Sequence, residues 1–107
     1  MAYRVVFSAD AEADLDEILA YVAENDGDQR AGTLILALQS VSAKLADLPN
    51  RGGVLKDFRS IEAIEYREVH YKPYRIIYEI IEGQVIIHAV IDGRRDMETL
   101  LRQRLLR

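Results

Sequence analysis

Apolar residues at Ala11, Leu15, Ile18, Leu19 and Val22 recur at steps of three and four, which lines one face of a helix, while Glu12, Asp16 and Glu24 fall elsewhere. Ahead of them Tyr3 to Phe7 is a short β-branched and aromatic run that predicts a strand, and Ser8 offers its hydroxyl to the orphan N–H groups of the helix that follows. Asp10, Glu12 and Asp14 load the first turn with the negative charge that the helix dipole favours there. This helix should end near Asn25, because Asn25-Asp26-Gly27-Asp28 has the composition of a turn. Beyond it Ala31, Leu34, Ile35, Leu38, Val41, Leu45 and Leu48 draw a second apolar stripe, closed by Pro49, so the two helices form an αα-hairpin. Asn50-Arg51-Gly52-Gly53 reads as a loop, and the residues up to about Ile61 show no clear period.

From Ala63 the period changes to two. Ala63 to Tyr71, Tyr74 to Ile81 and Gln84 to Ile91 read as strands, and the connections Lys72-Pro73 and Glu82-Gly83 are short enough only for antiparallel neighbours. The middle run is apolar or aromatic at nearly every position except Arg75 and Glu79, as in a central strand covered on at least one face. Met97, Leu100, Leu101, Leu105 and Leu106 then form a last helical stripe interleaved with Arg102, Arg104 and Arg107. The expected fold is α+β: an N-terminal strand, an antiparallel helical hairpin packed on an antiparallel meander, and a short C-terminal helical tail. At 107 residues this is one domain, large enough to bury a core without staples.

Net charge is −4, but unevenly spread: residues 1 to 48 hold three bases against nine carboxylates, and residues 49 to 107 hold eleven bases against nine. The base-rich end is therefore the candidate contact surface. Eleven of the fourteen cations are arginine, which binds carboxylates and phosphates bidentately as lysine does not. The absence of cysteine excludes a disulfide framework and thiol chemistry and fits a reducing compartment. The start lacks a signal-peptide pattern and the apolar runs are too short to span a bilayer, so a cytoplasmic chain is expected.

Common nucleotide, hydrolase and zinc motifs are missing, and His70 and His88 lack a third nearby ligand, so neither a metal nor a cofactor is expected. The carboxylates of the first helix read as a solubilising face. Arg67, His70, Tyr71 and Arg75 fall on adjacent strands and Arg94-Arg95 follow the last one, so a cationic cluster with one histidine is conceivable.

Tyr3-Arg4-Val5-Val6-Phe7-Ser8 followed by Asp14-Leu15 and Ile18, then Tyr74-Arg75-Ile76-Ile77-Tyr78, Val85 to Ile91, and Asp92-Gly93-Arg94-Arg95-Asp96 leading into Leu100-Leu101 form an ordered set. Along nearly the whole chain this set resembles the ParE/RelE superfamily of bacterial toxins, and sits closest to the ParE branch. The resemblance implies the toxin of a type II toxin-antitoxin system, which binds DNA gyrase, blocks its supercoiling cycle, and needs no catalytic residue. The end of the sheet and the tail carry toxicity in that branch, which maps here onto Arg94, Arg95, Arg102, Arg104 and Arg107; the tail leucines either dock on the sheet or touch the target. A ParD-like antitoxin is implied, with Leu19, Val22, Leu34 and Leu38 as candidate groove residues; no direct contact with nucleic acid is expected. Two alternatives stand beside this reading. One is a RelE-like ribosome-dependent mRNA endonuclease using Arg67, His70, Tyr71 and Arg75, although the lysine-rich stretch of such nucleases is missing; the other is a non-toxic relative that only binds antitoxin. Asp92 stands where many ParE-like sequences carry histidine.

Overall fold

The chain is described from a computed structural model, over residues 2–56 and 64–106. Strand β1 (Arg4–Phe7) leads into helix α1 (Ala9–Asp26), whose start is capped by the Ser8 hydroxyl accepting from the Ala11 N–H at 3.1 Å. Gly27 alone separates α1 from α2 (Asp28–Ala43). It sits at φ 96°, which side-chain-bearing residues rarely adopt, donates its N–H to the Ala23 carbonyl and accepts from the Ala31 N–H. The second helix is shorter than its apolar stripe implies: after Ala43 the chain tightens into 3₁₀ turns at Lys44–Ala46 and Pro49–Arg51, burying Leu45 and leaving Leu48 exposed. The Ala46 carbonyl thereby becomes free to accept from the Tyr3 N–H at 2.7 Å, beside β1.

Strands β2 (Gly53–Val54), β3 (Arg67–Tyr71), β4 (Tyr74–Ile81) and β5 (Gln84–Asp92) complete a five-stranded sheet in the order β1-β5-β4-β3-β2, followed by helix α3 (Met97–Leu105). The meander β3-β4-β5 is antiparallel as expected, while β1 runs parallel to β5, making the sheet mixed. Glu82 and Gly83 both lie at positive φ, as a two-residue hairpin between right-twisted strands requires. Gly53 belongs to a strand and not to the expected loop, because Gly53 and Val54 pair with Glu68 and Arg67. The strand expected from Ala63 begins at Arg67; Ala63 itself lies outside the described residues.

One irregularity decides how the sheet is covered. Ile77 faces Ala89 and the next residue, Tyr78, faces Ile87, so His88 is an extra residue in β5. The bulge reverses the alternation. Val85, Ile87 and Val90 face the helical hairpin with Ile76, Tyr78, Leu15, Leu38 and Leu45, whereas Ala89 and Ile91 turn to the other face with Ile77, Tyr66, Met97 and Leu101. Two apolar cores therefore back one sheet, which is why β4 and β5 read as nearly continuous apolar runs. Among the described residues no helix is long and apolar enough to cross a membrane.

Tyr78 locks the loop at the sheet's edge into the first core. Its buried hydroxyl donates to the Pro49 carbonyl at 2.6 Å and accepts from the Gly52 N–H at 3.0 Å. Burial pushes the pKa of this phenol up, so it remains a donor. A Cβ at residue 52 would lie 2.6 Å from that hydroxyl and 2.5 Å from the Glu68 carbonyl, so only glycine fits.

Leu38 is 1% exposed and Leu36, two residues away, is 68% exposed. Leu38→Ala should cost about 2–5 kcal/mol in urea denaturation, and Leu36→Ala about 0.5 kcal/mol or less. Equal effects at the two positions would put the hairpin in the wrong rotation on the sheet.

Candidate functional site

Strand β5 ends at Asp92, and Gly93 carries the chain past the β3-β4 turn: its N–H donates to the Pro73 carbonyl at 2.7 Å, and an added Cβ would lie 3.0 Å from the Arg75 Cδ. Asp92 then holds Arg94 by three hydrogen bonds, from the backbone N–H at 2.9 Å, Nε at 3.0 Å and a terminal nitrogen at 2.6 Å. These bonds to Arg94 draw the Asp92 carboxyl down to about 2. Arg94 is thus oriented though exposed. Arg95 beside it is exposed and makes no ion pair among the described residues. Asp96 caps α3 by accepting from the Thr99 N–H and hydroxyl at 3.2 and 2.8 Å, bonds that lower its own pKa.

The tail stripe docks. Met97 and Leu101 are buried in the second core and Leu100 and Leu105 pack against it, while Leu106 stays largely exposed. The arginines of the tail then take different roles. Arg102 points outward and pairs with Glu98 at 3.1 Å. Arg104 turns inward, donating two bonds to the Asp14 carboxylate at 2.6 and 3.0 Å. Arg107 lies outside the described residues.

Asp14 was legible only as first-turn charge, yet it is buried and joins three elements. Strand β1 covers the edge of β5 only as far as Ile87; beyond that point the Val90 N–H would be uncovered, and Asp14 accepts it at 2.9 Å. The available signal was an acid three residues after Ala11 and four before Ile18, on the apolar face of α1. Next to it, Ile18 and Tyr21 of α1, Tyr74, Val90, Arg94 and Arg95 border an open cleft of about 540 Å³. Tyr21 is exposed, and burial with the Asp92 charge raises the pKa of Tyr74, so the Tyr74 phenol is neutral at physiological pH. Exposed tyrosine beside arginine over an aliphatic floor is the composition of an interface centre.

The groove candidates divide. Val22 and Leu34 border a second open cavity of about 830 Å³ at the α1-α2 turn, shared with Tyr71, Pro73 and Tyr74. Leu38 is core, and Leu19, 40% exposed, borders neither cavity.

The four nuclease candidates also divide, by strand alternation. Arg67 and Tyr71 lie on the hairpin side with Val69, and Arg67 donates to the Gly52 carbonyl at 2.7 Å and pairs with Glu65 at 3.0 Å. His70 and Arg75 lie on the opposite face, both on Glu68: His70 at 2.8 Å, Arg75 at 2.6 and 2.9 Å. Burial raises the Glu68 pKa, but the bonds from Arg75 and His70 outweigh it and the net shift is downward. His88 pairs with Glu79 at 2.8 Å and meets the Tyr66 ring edge-on at 5.7 Å. Among the described residues no three acidic or histidine side chains are grouped to hold a metal ion.

Residues 5–97 match the family described as the ParE toxin of the type II toxin-antitoxin system, parDE. Toxin ParE3 of Caulobacter vibrioides is 28% identical over 98 residues, 92% of this chain and 94% of that protein. Two solved structures share the fold: the chromosomal ParDE system from P. aeruginosa (TM-score 0.70, 17% identity, 85% of this chain and 96% of the other) and the toxin-antitoxin complex RelBE2 from Mycobacterium tuberculosis (TM-score 0.63, 22% identity, 86% and 99%).

Two outcomes follow from the ion pairs. Arg104→Ala leaves the carboxylate of Asp14, 7% exposed, without its cation and should cost about 3 kcal/mol, against about 0.5 kcal/mol or less for Arg102→Ala at the exposed pair. Urea denaturation of both variants checks this. The Asp92 carboxyl should titrate with a midpoint of about 2 by NMR and move back toward 3.8 in Arg94→Ala. Because the folded value is depressed, the stabilisation from this pair is complete above about 3.8 and is lost as pH falls through about 2.

Proposed function

Because the chain belongs to the ParE toxin family of type II toxin-antitoxin systems, we propose that it arrests growth by binding DNA gyrase, and that a ParD-like antitoxin neutralises it. The observation that carries the binding surface is the pair Arg94-Arg95, presented where β5 ends: one arginine is pre-oriented by Asp92 and the other has no ion-pair partner among the described residues. An arginine held in place before contact loses less entropy on binding than a free one. The surface runs from these arginines to Tyr74 and Tyr21, with Arg102 on the outer side of α3. Arg104 acts on it indirectly, by anchoring the helix that follows. Arg107 is kept in the proposed surface on the grounds of sequence alone.

Binding, and not strand scission, is the activity this geometry favours. Acid-base cleavage of RNA needs its base, acid and cations around one phosphate. Here Arg67 and Tyr71 are separated by the sheet from His70 and Arg75, and Glu68 holds both members of the second pair. For the antitoxin, the cavity that Val22, Leu34, Tyr71 and Tyr74 border together with Asp26, Asp28 and Arg30 is a mixed apolar and charged surface that suits an amphipathic partner helix. Leu38 contributes to it only by supporting the hairpin from beneath. The neighbouring folds are those of a ParDE system and a RelBE2 toxin-antitoxin complex, which supports a partner of this kind.

Expression of the chain without antitoxin should reduce plasmid supercoiling and break DNA while mRNA stays intact. Arg94→Ala/Arg95→Ala should relieve growth arrest by roughly tenfold or more, as for loss of central interface residues, and His70→Ala/His88→Ala should leave it in place. Site-specific mRNA cleavage lost in the histidine variant would replace this reading with the endonuclease, and a folded chain that causes no arrest would leave only antitoxin binding.

A further inference from the structure

A cleft of about 570 Å³ opens beside the end of α2 and strands β2 and β3, and it shares no bordering residue with the two cavities described above. Three cations from three pieces of chain stand around it: Lys44 where α2 gives way to the first 3₁₀ turn, Arg51 at the end of the second, and Lys56 beyond β2. All three are exposed and make no ion pair among the described residues. The one carboxylate at the cleft, Glu68, is already matched, since Arg75 donates to both of its oxygens at 2.6 and 2.9 Å. In a chain of net charge −4, the cleft therefore keeps a positive field that these neighbours do not balance. The loop that presents Arg51 is held in advance. Tyr78 bonds Pro49 and Gly52 on either side of it, and Arg67 donates to the Gly52 carbonyl at 2.7 Å. Val41, Val69 and the half-exposed Val54 supply an apolar portion.

We infer that this cleft binds a compact anion of several charges, an oligophosphate, either free or as the tail of a nucleotide, with its phosphates on Lys44, Arg51 and Lys56. A single carboxylate would satisfy one cation and leave the other two repelling each other. Consecutive phosphates satisfy all three at once, lysine acting as a point charge and arginine through its fork of N–H groups. The cleft is of the size that takes a small ligand, and its mixed lining gives a sugar and base somewhere to rest. Compactness follows from the charge of the rest of the protein. A nucleic acid strand long enough to leave the cleft would run along an acidic surface and be repelled. The site is separate from the Arg94-Arg95 surface, and the inference does not rest on gyrase as target.

Calorimetric titration of the purified chain with inorganic triphosphate, ATP and sulfate tests this. Triphosphate should bind, more weakly as salt rises, and sulfate should bind about tenfold less tightly or worse. Lys44→Ala/Lys56→Ala and, separately, Arg51→Ala should each lower the triphosphate affinity by about tenfold, with circular dichroism confirming that both are folded. Arg4→Ala removes an exposed cation from the strand at the opposite edge of the sheet and should change nothing. The backbone amides of Gly53 and Val54 should shift in NMR spectra on adding triphosphate. Tighter binding of ATP than of triphosphate would support a nucleotide seated on the valines, and equal affinities would support the free oligophosphate. No measurable binding of triphosphate, an equal loss in Arg4→Ala and the cleft variants, or tighter binding of a uridine oligoribonucleotide than of triphosphate would each overturn the proposal. Growth arrest is not read here, so the result is separate from that of the supercoiling assay.

Discussion

Asp14 solves a problem created by the shortness of β1. A four-residue strand covers only part of the nine-residue β5, and the remaining edge would leave the Val90 N–H buried without an acceptor. A carboxylate from α1 takes that bond, and its charge is in turn matched by Arg104 from α3. One side chain thereby ties the first helix, the sheet edge and the last helix across 90 residues of sequence. Such a pair contributes little net stability over an apolar replacement, but breaking it is costly, so it acts mainly to specify where the tail goes.

Placement of the tail depends on a second local irregularity. The extra residue at His88 turns Ala89 and Ile91 away from the hairpin, and α3 covers the apolar strip so formed with Met97 and Leu101. Without the bulge these two would point to the hairpin side and the second core would have no floor. The bulge also puts the end of β5, and therefore Asp92 and the two arginines after it, at the mouth of a cleft beside Tyr74 and Tyr21. Position and orientation of the arginines are thus consequences of strand register, with Asp92 adding the final constraint on Arg94.

Charge is distributed in the fold as unevenly as along the chain. The acids of α1 face solvent apart from the buried Asp14 and the half-buried Asp10, and among the described residues Arg95 after β5 and Lys44, Arg51 and Lys56 beside β2 are cations that make no ion pair. Both places lie at interruptions of the sheet, one where a strand ends and one where an edge strand is only two residues long. Charged side chains are offered there without ion-pair partners, which suits a fold that works by binding.

The helical hairpin, the meander, the tail helix and the superfamily were all legible in the sequence, because periods of 3.6 and 2 and the ordered motifs are local properties of the chain. The parallel placement of β1, the β2-β3 pairing and the bulge at His88 were not, since each depends on which backbone edge remains open after distant elements have packed. The same reason separates the candidate residues. Runs of leucine and arginine in the tail look alike in sequence, yet burial assigns Leu101 to the core, and the reach of Arg104 to Asp14 distinguishes it from Arg102. Sequence by itself determined which residues are apolar, which are charged and what local structure they take; only tertiary packing decided which of those charges are consumed inside the molecule and which are left for a partner.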